Sequence, residues 1–178
     1  MYSNLLKNQL LNYKPAYNED TSVLDSFEAF IEQHKNCFDR ELLEGHITGS
    51  AWIVDKSRRY VLLTHHRKIG SWFQLGGHCD GCHNVCEVAL KEAREESGLA
   101  RIAVLSDAIF DLDIHVIPEY KGIPEHKHYD VRFLFEADRR DLLMISSESK
   151  DLRWVKIEDL EEYSQESSIL RMAEKLAK

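Results

Sequence analysis

The sequence predicts an α/β domain layered around a mixed β-sheet, with a helical arm at its N-terminus. Three patterns predict it. Leucines and phenylalanines recur at helical spacing near the start of the chain. Runs rich in β-branched and aromatic residues follow from Ile47. A glycine pair, Gly76-Gly77, then introduces a long helical stretch that ends in acidic residues. The chain's 178 residues amount to one domain and are enough to bury a substantial core.

Each element has a local reason. Leu5, Leu6, Leu10 and Leu11 place a first helix in Ser3 to Tyr13, stopped by Pro15. Asp20 or Thr21 caps a second helix carrying Val23, Leu24, Phe27, Phe30 and Ile31. Residues 1–44 therefore read as an arm packed on the core, and residues 45–178 as the main domain. Ile47 to Val54 and Tyr60 to Thr64 form a hairpin across the turn Asp55-Lys56-Ser57-Arg58. Gly76, Gly77 and Gly81 break the chain as a loop before a helix from Asn84 to Ser97, which Gly98 ends. Further strands are expected at Ile102 to Leu105, Ala108 to Ile117, Val131 to Ala137 and Leu152 to Lys156. Helices at Ile157 to Tyr163 and Ser167 to Leu176 close the chain.

Composition narrows the function classes. Apolar residues make up 43% and charged residues 30%, the balance of an ordinary globular protein. A net charge of -8 argues against a binder of nucleic acid polymers, which needs a basic surface. A small phosphorylated substrate remains compatible, because a metal ion neutralises it locally. No apolar run approaches the roughly 20 residues that span a bilayer, so no membrane partner is expected. The first residues show no charged region leading into an apolar stretch, which points to the cytoplasm. The expected partner is a small-molecule diphosphate, bound by a monomer or homodimer.

The most informative segment is the helix ending Lys91-Glu92-Ala93-Arg94-Glu95-Glu96-Ser97-Gly98-Leu99. Residues three and four apart share a helix face, so Glu92, Glu95 and Glu96 project together. They repel one another and sit at the end of the helix that disfavours acids. A hard divalent cation with oxygen ligands would offset both effects. The ordinary alternative is a solvated face paired with Lys91 and Arg94. A different face, Cys86, Leu90 and Ala93, is apolar or small and suited to packing on the sheet.

The glycines at a fixed distance upstream shift the balance toward a metal and phosphate site. Residues 77–99 resemble the Nudix box, G-x5-E-x7-R-E-U-x-E-E-x-G-U, where U is aliphatic. Gly77, Glu92, Glu95, Glu96, Gly98 and Leu99 match, and Ala93 is a small residue at the first aliphatic position. His83 stands where the box has its first Glu, and Lys91 where it has Arg. Trp72 to Gly77 is similar to the family's aromatic entry to the box, with Leu75 in place of proline. Gly45 to Trp52, Leu62 to Lys68 and the Gly-Gly-His-x-Asp-Gly run at 76–81 look like a bacterial Nudix subgroup. The resemblance covers roughly Glu44 to Val155 and implies a Nudix-like α/β/α sandwich.

It also implies an activity: hydrolysis of a diphosphate linkage in a nucleoside diphosphate derivative, with Mg2+ or Mn2+. By position, Glu95 and Glu96 are the leading metal ligands. Glu92 is a ligand or base, and the Gly76 carbonyl completes the shell. Glu148, ahead of the Leu152 strand, is a candidate extra ligand or base, with an exposed loop acid as the ordinary alternative. His83 removes a carboxylate, which Asp80 on the same loop could replace, and imidazole there tilts the expected preference toward Mn2+. His83 and Lys91 also motivate a second reading, a Nudix fold with weakened catalysis that serves as a nucleotide-binding or sensor module.

Two further groups stand out. Cys79, Cys82 and Cys86, with His78 or His83, have ligand types suited to zinc, which would make a thiol-zinc protein; idle reduced thiols are the plainer reading. Asp111, Asp113 and His115 alternate along one strand, and His128, Asp130 and Arg132 along the next, so each set faces one side. That side is a candidate cleft lining, with Arg132, His128 and Asp130 as substrate-binding residues. With His126, the group could also hold a second metal. Solvated polar residues, with Arg132 salt-bridged to its Asp neighbours, are the alternative.

Overall fold

A computed structural model describes residues 3–15 and 20–177. Met1, Tyr2, residues 16–19 and Lys178 belong to the two segments expected from sequence and lie outside the described residues. Two N-terminal helices, α1 (Ser3–Asn12) and α2 (Ser22–Gln33), precede a sheet whose spine is β1 (Gly45–Val54). β1 pairs in parallel with β7 (His126–Ala137), from Gly45 opposite Lys127 to Val54 opposite Glu136. Its other edge is shared. β4 (Leu75–His78) lies antiparallel to Thr48 through Ala51, and β2 (Tyr60–His66) meets β1 at Val54 opposite Val61. Beyond β2 lie β3 (Trp72–Phe73) and β8 (Ser149–Lys156). Beyond β7 lie β5 (Ile102–Val104) and β6 (Asp111–Ile117). Helix α3 (Val85–Ser97) covers one face of this mixed, curled sheet. A 3-10 helix (Ile157–Glu162) and α4 (Ser167–Leu176) cover the other.

Alternation along the strands builds two different interiors. Ile47, Ala51 and Ile53 of β1 and Val131, Phe133 and Phe135 of β7 are buried with Val85, Val88, Ala89 and Ala93 of α3. Leu6 and Leu10 of α1 and Phe27, Phe30 and Ile31 of α2 join the same cluster. The Phe30 ring stacks on Tyr129 with centroids 3.9 Å apart, and Phe27 meets Tyr129 edge-on. Each such ring stabilises the fold by roughly 1.5–3 kcal/mol on burial. The opposite face changes character along its length. It is apolar near Trp52, Val54, Leu63, Ile169 and Met172, and polar toward the start of β1 and β7.

Helix α3 is fixed at both ends and along its length. Asn84 caps its start by accepting a hydrogen bond from the Glu87 N–H at 3.4 Å. Gly98 ends it in the left-handed region, φ 72°. A side chain at Gly49 of β1 would place its Cβ 2.8 Å from the Val85 carbonyl, so glycine lets the helix lie directly on the strand.

The structure departs from the sequence reading in several places. Gly76-Gly77, expected as loop, pairs as strand β4, because these glycines are there for close approach and not for a turn. The strand expected from Val131 starts five residues earlier, at His126. That extension is polar, and it forms because β1 and β6 pair with it on either side. The strand expected from Ala108 starts at Asp111, and residues 157–162 form a 3-10 helix.

Candidate active site

Two glycines and two glutamates make the centre of the acidic site. The Gly76 N–H donates to Glu96 Oε1 at 2.9 Å. A Cβ at Gly77 would lie 2.5 Å from Glu92 Oε2, so only glycine leaves room for that carboxylate against the strand. Glu92 and Glu96 sit one helical turn apart on α3, on the side that faces β4. Glu95 is more exposed. Lys91 bridges Glu92 at 3.6 Å and Glu95 at 3.7 Å.

The electrostatics of these acids are unusual. Burial pushes the Glu96 carboxyl up to about 7, against the Gly76 hydrogen bond, and the charges of Glu92 and Glu148 push the same way. Burial also raises Glu92; Lys91 opposes this, while Glu95 and Glu148 add to it. Glu148, in the turn before β8, is therefore within electrostatic reach of both helix acids. The turn itself is pinned to the end of β2 by the Arg67 N–H, which donates to the Glu148 carbonyl at 2.9 Å. A carboxylate whose charge is this costly has two remedies, a proton or a cation. The candidate donors expected from the sequence, Glu92, Glu95, Glu96, Glu148 and the Gly76 carbonyl, are all hard oxygens, the type that suits Mg2+ or Mn2+.

The loop residues expected near the metal are otherwise engaged. Asp80 is gripped by the Arg40 guanidinium through both carboxylate oxygens. Arg40 was invisible as a site residue in the sequence, since it lies forty residues away in the segment between α2 and β1. The His83 ring packs against Phe38, centroids 4.4 Å apart. Cys79 and Cys86 are buried, Cys82 is exposed, and all three are free. Among the described residues, the set of side chains that brings metal-ligand atoms together is His46, His78 and His128, and it includes none of the cysteines.

The polar sheet face holds the second group of candidates. Asp130 accepts from Thr48 Oγ1 at 2.9 Å, Ser50 Oγ at 2.8 Å, Gln74 Nε2 at 3.1 Å and Arg132 Nε at 2.8 Å. Arg132, 2% exposed, also donates to Asp111 and Asp113, each at 3.1 Å. Arg171 and Lys175 of α4 close the network on Asp111, at 2.7 and 2.6 Å. A phosphate reaching Arg132 would have to displace a carboxylate. Burial raises Asp113, but the His115 hydrogen bond and the Arg132 charge outweigh it and hold the carboxyl down at about 2. His128 is half-buried, and burial together with the charges of His78 and His115 pushes it down to about 2. Burial likewise lowers His78 to about 4, aided by Arg40 and His46.

With this geometry in hand, comparison with known proteins is decisive. The family model for the NUDIX domain matches residues 46–175, most of the chain. The chain belongs to the Nudix family. Its box helix and glycine strand are the elements just described, and the enzyme class is that of pyrophosphohydrolases using divalent metal. Solved structures agree on the fold. An Ap4A hydrolase from C. elegans superposes with a TM-score of 0.59 at 18% identity, over 74% of this chain and 94% of that one. A MutT protein from Methanosarcina mazei gives 0.57 at 17% identity, over 75% and 93%. A NUDIX-family hydrolase from Clostridium perfringens gives 0.53 at 25% identity, over 74% and 96%. No curated protein sequence matches this Nudix chain. Among the described residues, no helix is long and apolar enough to cross a membrane.

Proposed function

We propose that this Nudix hydrolase cleaves a phosphoanhydride bond in a nucleoside diphosphate derivative, with Mg2+ or Mn2+ held by Glu92, Glu95, Glu96 and the Gly76 carbonyl. The observation that carries this reading is the docking of two α3 carboxylates on the glycine strand, Glu96 on the Gly76 N–H and Glu92 against Gly77. Similar structures include an Ap4A hydrolase and a dihydroneopterin triphosphate pyrophosphohydrolase, which supports a nucleotide-like substrate. A bound divalent cation neutralises phosphate charge and acidifies an attacking water.

The chain's own residues do the rest. Gly76 holds Glu96 in place, and Gly77 gives Glu92 its position. Glu148, approaching from another element, serves as base or additional ligand. Lys91 occupies the box's arginine position as a point charge shared by two acids, without the bidentate fork of arginine. Asp80 acts through its pairing with Arg40, which fixes the loop entering α3. Asp130 and Arg132 act as positioning residues for the sheet face, and His128 lines that face near the substrate. The protein works as a monomer or homodimer on a small molecule.

Chromatographic product analysis over a panel of nucleoside triphosphates, dinucleoside polyphosphates and sugar nucleotides tests the reading, because water splits the phosphoanhydride into a nucleoside phosphate and a second phosphorylated product. Wild-type protein is expected to turn over at least one class with Mg2+ or Mn2+, and a Glu95→Gln, Glu96→Gln double variant to lose that turnover. Nucleotide binding with no turnover by wild type across the panel would instead establish a binding module.

A further inference from the structure

The strongest group of side chains that the acidic helix leaves unused lies on the polar face of the sheet. His46 is on β1, His78 on β4 and His128 on β7. The parallel register sets His46 opposite His128, and the antiparallel register sets His78 opposite Thr48, two residues along the same face from His46. One ligand nitrogen from each ring lies within 4.8 Å of the others. His46 is 2% exposed. Its Nε2 and that of His128 are buried with no hydrogen-bond partner among the described residues. His46 turns its Nδ1 toward the Leu42 carbonyl, so its Nε2 is a buried unpaired acceptor that costs about 1–3 kcal/mol, and a ligand shared by three rings with nitrogens this close would satisfy it.

We propose that His46, His78 and His128 form a binding site for a divalent transition-metal ion of the zinc class, separate from the acidic helix. Imidazole nitrogens favour Zn2+, Co2+, Ni2+ or Cu2+, whereas Mg2+ prefers the carboxylates on the other side of β4. Three histidines with an open fourth position are a recurrent zinc arrangement. Ligands about 2.1 Å from a tetrahedral ion stand about 3.4 Å apart, so inward turns of the three rings from their separations within 4.8 Å would supply three of the four ligands. His46 Nδ1 lies 3.5 Å from the Leu42 carbonyl, which leaves Nε2 as its lone-pair nitrogen. Two more histidines border the site, with ring centroids 5.4 Å (His115) and 5.3 Å (His126) from His128. Their Nδ1 atoms are held by Asp113 at 3.1 Å and the Pro124 carbonyl at 2.8 Å, so each keeps Nε2 for the fourth position. The bound ion would tie together three strands whose residues lie far apart in the chain.

The test is metal retention by the purified full-length protein. After equilibration with Zn2+ or Co2+ and dialysis, elemental analysis is expected to find one equivalent bound. Competition against a chromophoric chelator is expected to show affinity more than about 100-fold weaker in His78→Asn and in His128→Asn. Glu92→Gln with Glu96→Gln should leave retention unchanged, which separates this site from the acidic one. A second readout needs no substitution at the site: Zn2+ should raise the Tm of wild-type protein, and a chelator should reverse the shift. Retention that survives both histidine variants overturns the proposal. So does its loss in a Cys79→Ser, Cys82→Ser variant alone, or the absence of both retention and Tm shift in wild type.

Discussion

Two charged regions lie on opposite sides of β4, and they are built on opposite principles. On the sheet face, the carboxylates of Asp111, Asp113 and Asp130 meet the cations of Arg132, Arg171 and Lys175 at hydrogen-bonding distance. On the helix side, Glu92, Glu95, Glu96 and Glu148 have, among the described residues, the ion pairs that Lys91 makes with Glu92 and Glu95. The balanced network pairs its charges internally, and the contacts of Arg171 and Lys175 with Asp111 tie α4 to the sheet. The unbalanced group carries excess negative charge in a partly buried place, which a proton or a bound cation would offset. Charge density alone would not have separated the two. The supply of counter-charges does.

The largest effect is expected from breaking the balanced side. Arg132→Met leaves two buried carboxylates, Asp111 and Asp130, and the half-buried Asp113 short of their shared partner. Removing one member of a buried ion-pair network costs about 3–5 kcal/mol, so urea denaturation should show a loss of that size. The same substitution would be nearly silent in stability if Arg132 were a phosphate ligand with loosely held neighbours.

On the unbalanced side the expected signs reverse. Glu96→Gln should lower kcat/KM about 100-fold, because a metal ligand is lost. Stability of the metal-free protein should hold steady or rise, since the variant removes a buried charge repelled by Glu92 and Glu148. A loss of stability with intact turnover would place Glu96 among the structural groups instead.

The pH dependence of stability sharpens the contrast. Glu96 has a folded-state pKa raised to about 7 from an ordinary 4.5. Folding therefore favours its protonated form. The associated stability is fully present below about 4.5 and is lost as pH rises through about 7. The difference in unfolding free energy between wild type and Glu96→Gln, both with chelator, should accordingly fall by about 1–3 kcal/mol across that window. Mg2+ should flatten the slope by stabilising the ionised form. Taking the difference removes the histidines, whose lowered values act in the opposite direction over part of the same range.

How far the sequence revealed each region follows from the range of its contacts. The acidic face was legible because its members lie three and four residues apart on one helix. The glycines of β4 look like a break in the sequence, although both lie in a strand, because nothing local distinguishes a glycine needed for φ from one needed for clearance. Asp111, Asp113, Asp130 and Arg132 were legible as residues sharing a side, since strand alternation is local. Their saturation was not, because Arg171 and Lys175 arrive from a helix some sixty residues away in sequence. The histidine triad was the least legible: His46 lies 82 residues before His128 in the sequence, and only the parallel register makes them neighbours.

The smallest expected effect tests the clearance argument directly. Gly77→Ala would bring a Cβ to 2.5 Å from Glu92 Oε2. The atom it meets is the end of a flexible side chain, so Glu92 can swing aside at little cost to the fold. Stability should therefore change by no more than about 1 kcal/mol. The carboxylate, however, can no longer rest against the strand beside Glu96, and the concentration of Mn2+ needed for half-maximal activity should rise about tenfold. If metal activation were unaffected while the protein lost several kcal/mol, Gly77 would be serving strand packing and not the acidic site. The balanced face offers the control: Ser50→Ala, which removes one donor to Asp130, should leave the Mn2+ requirement where it was.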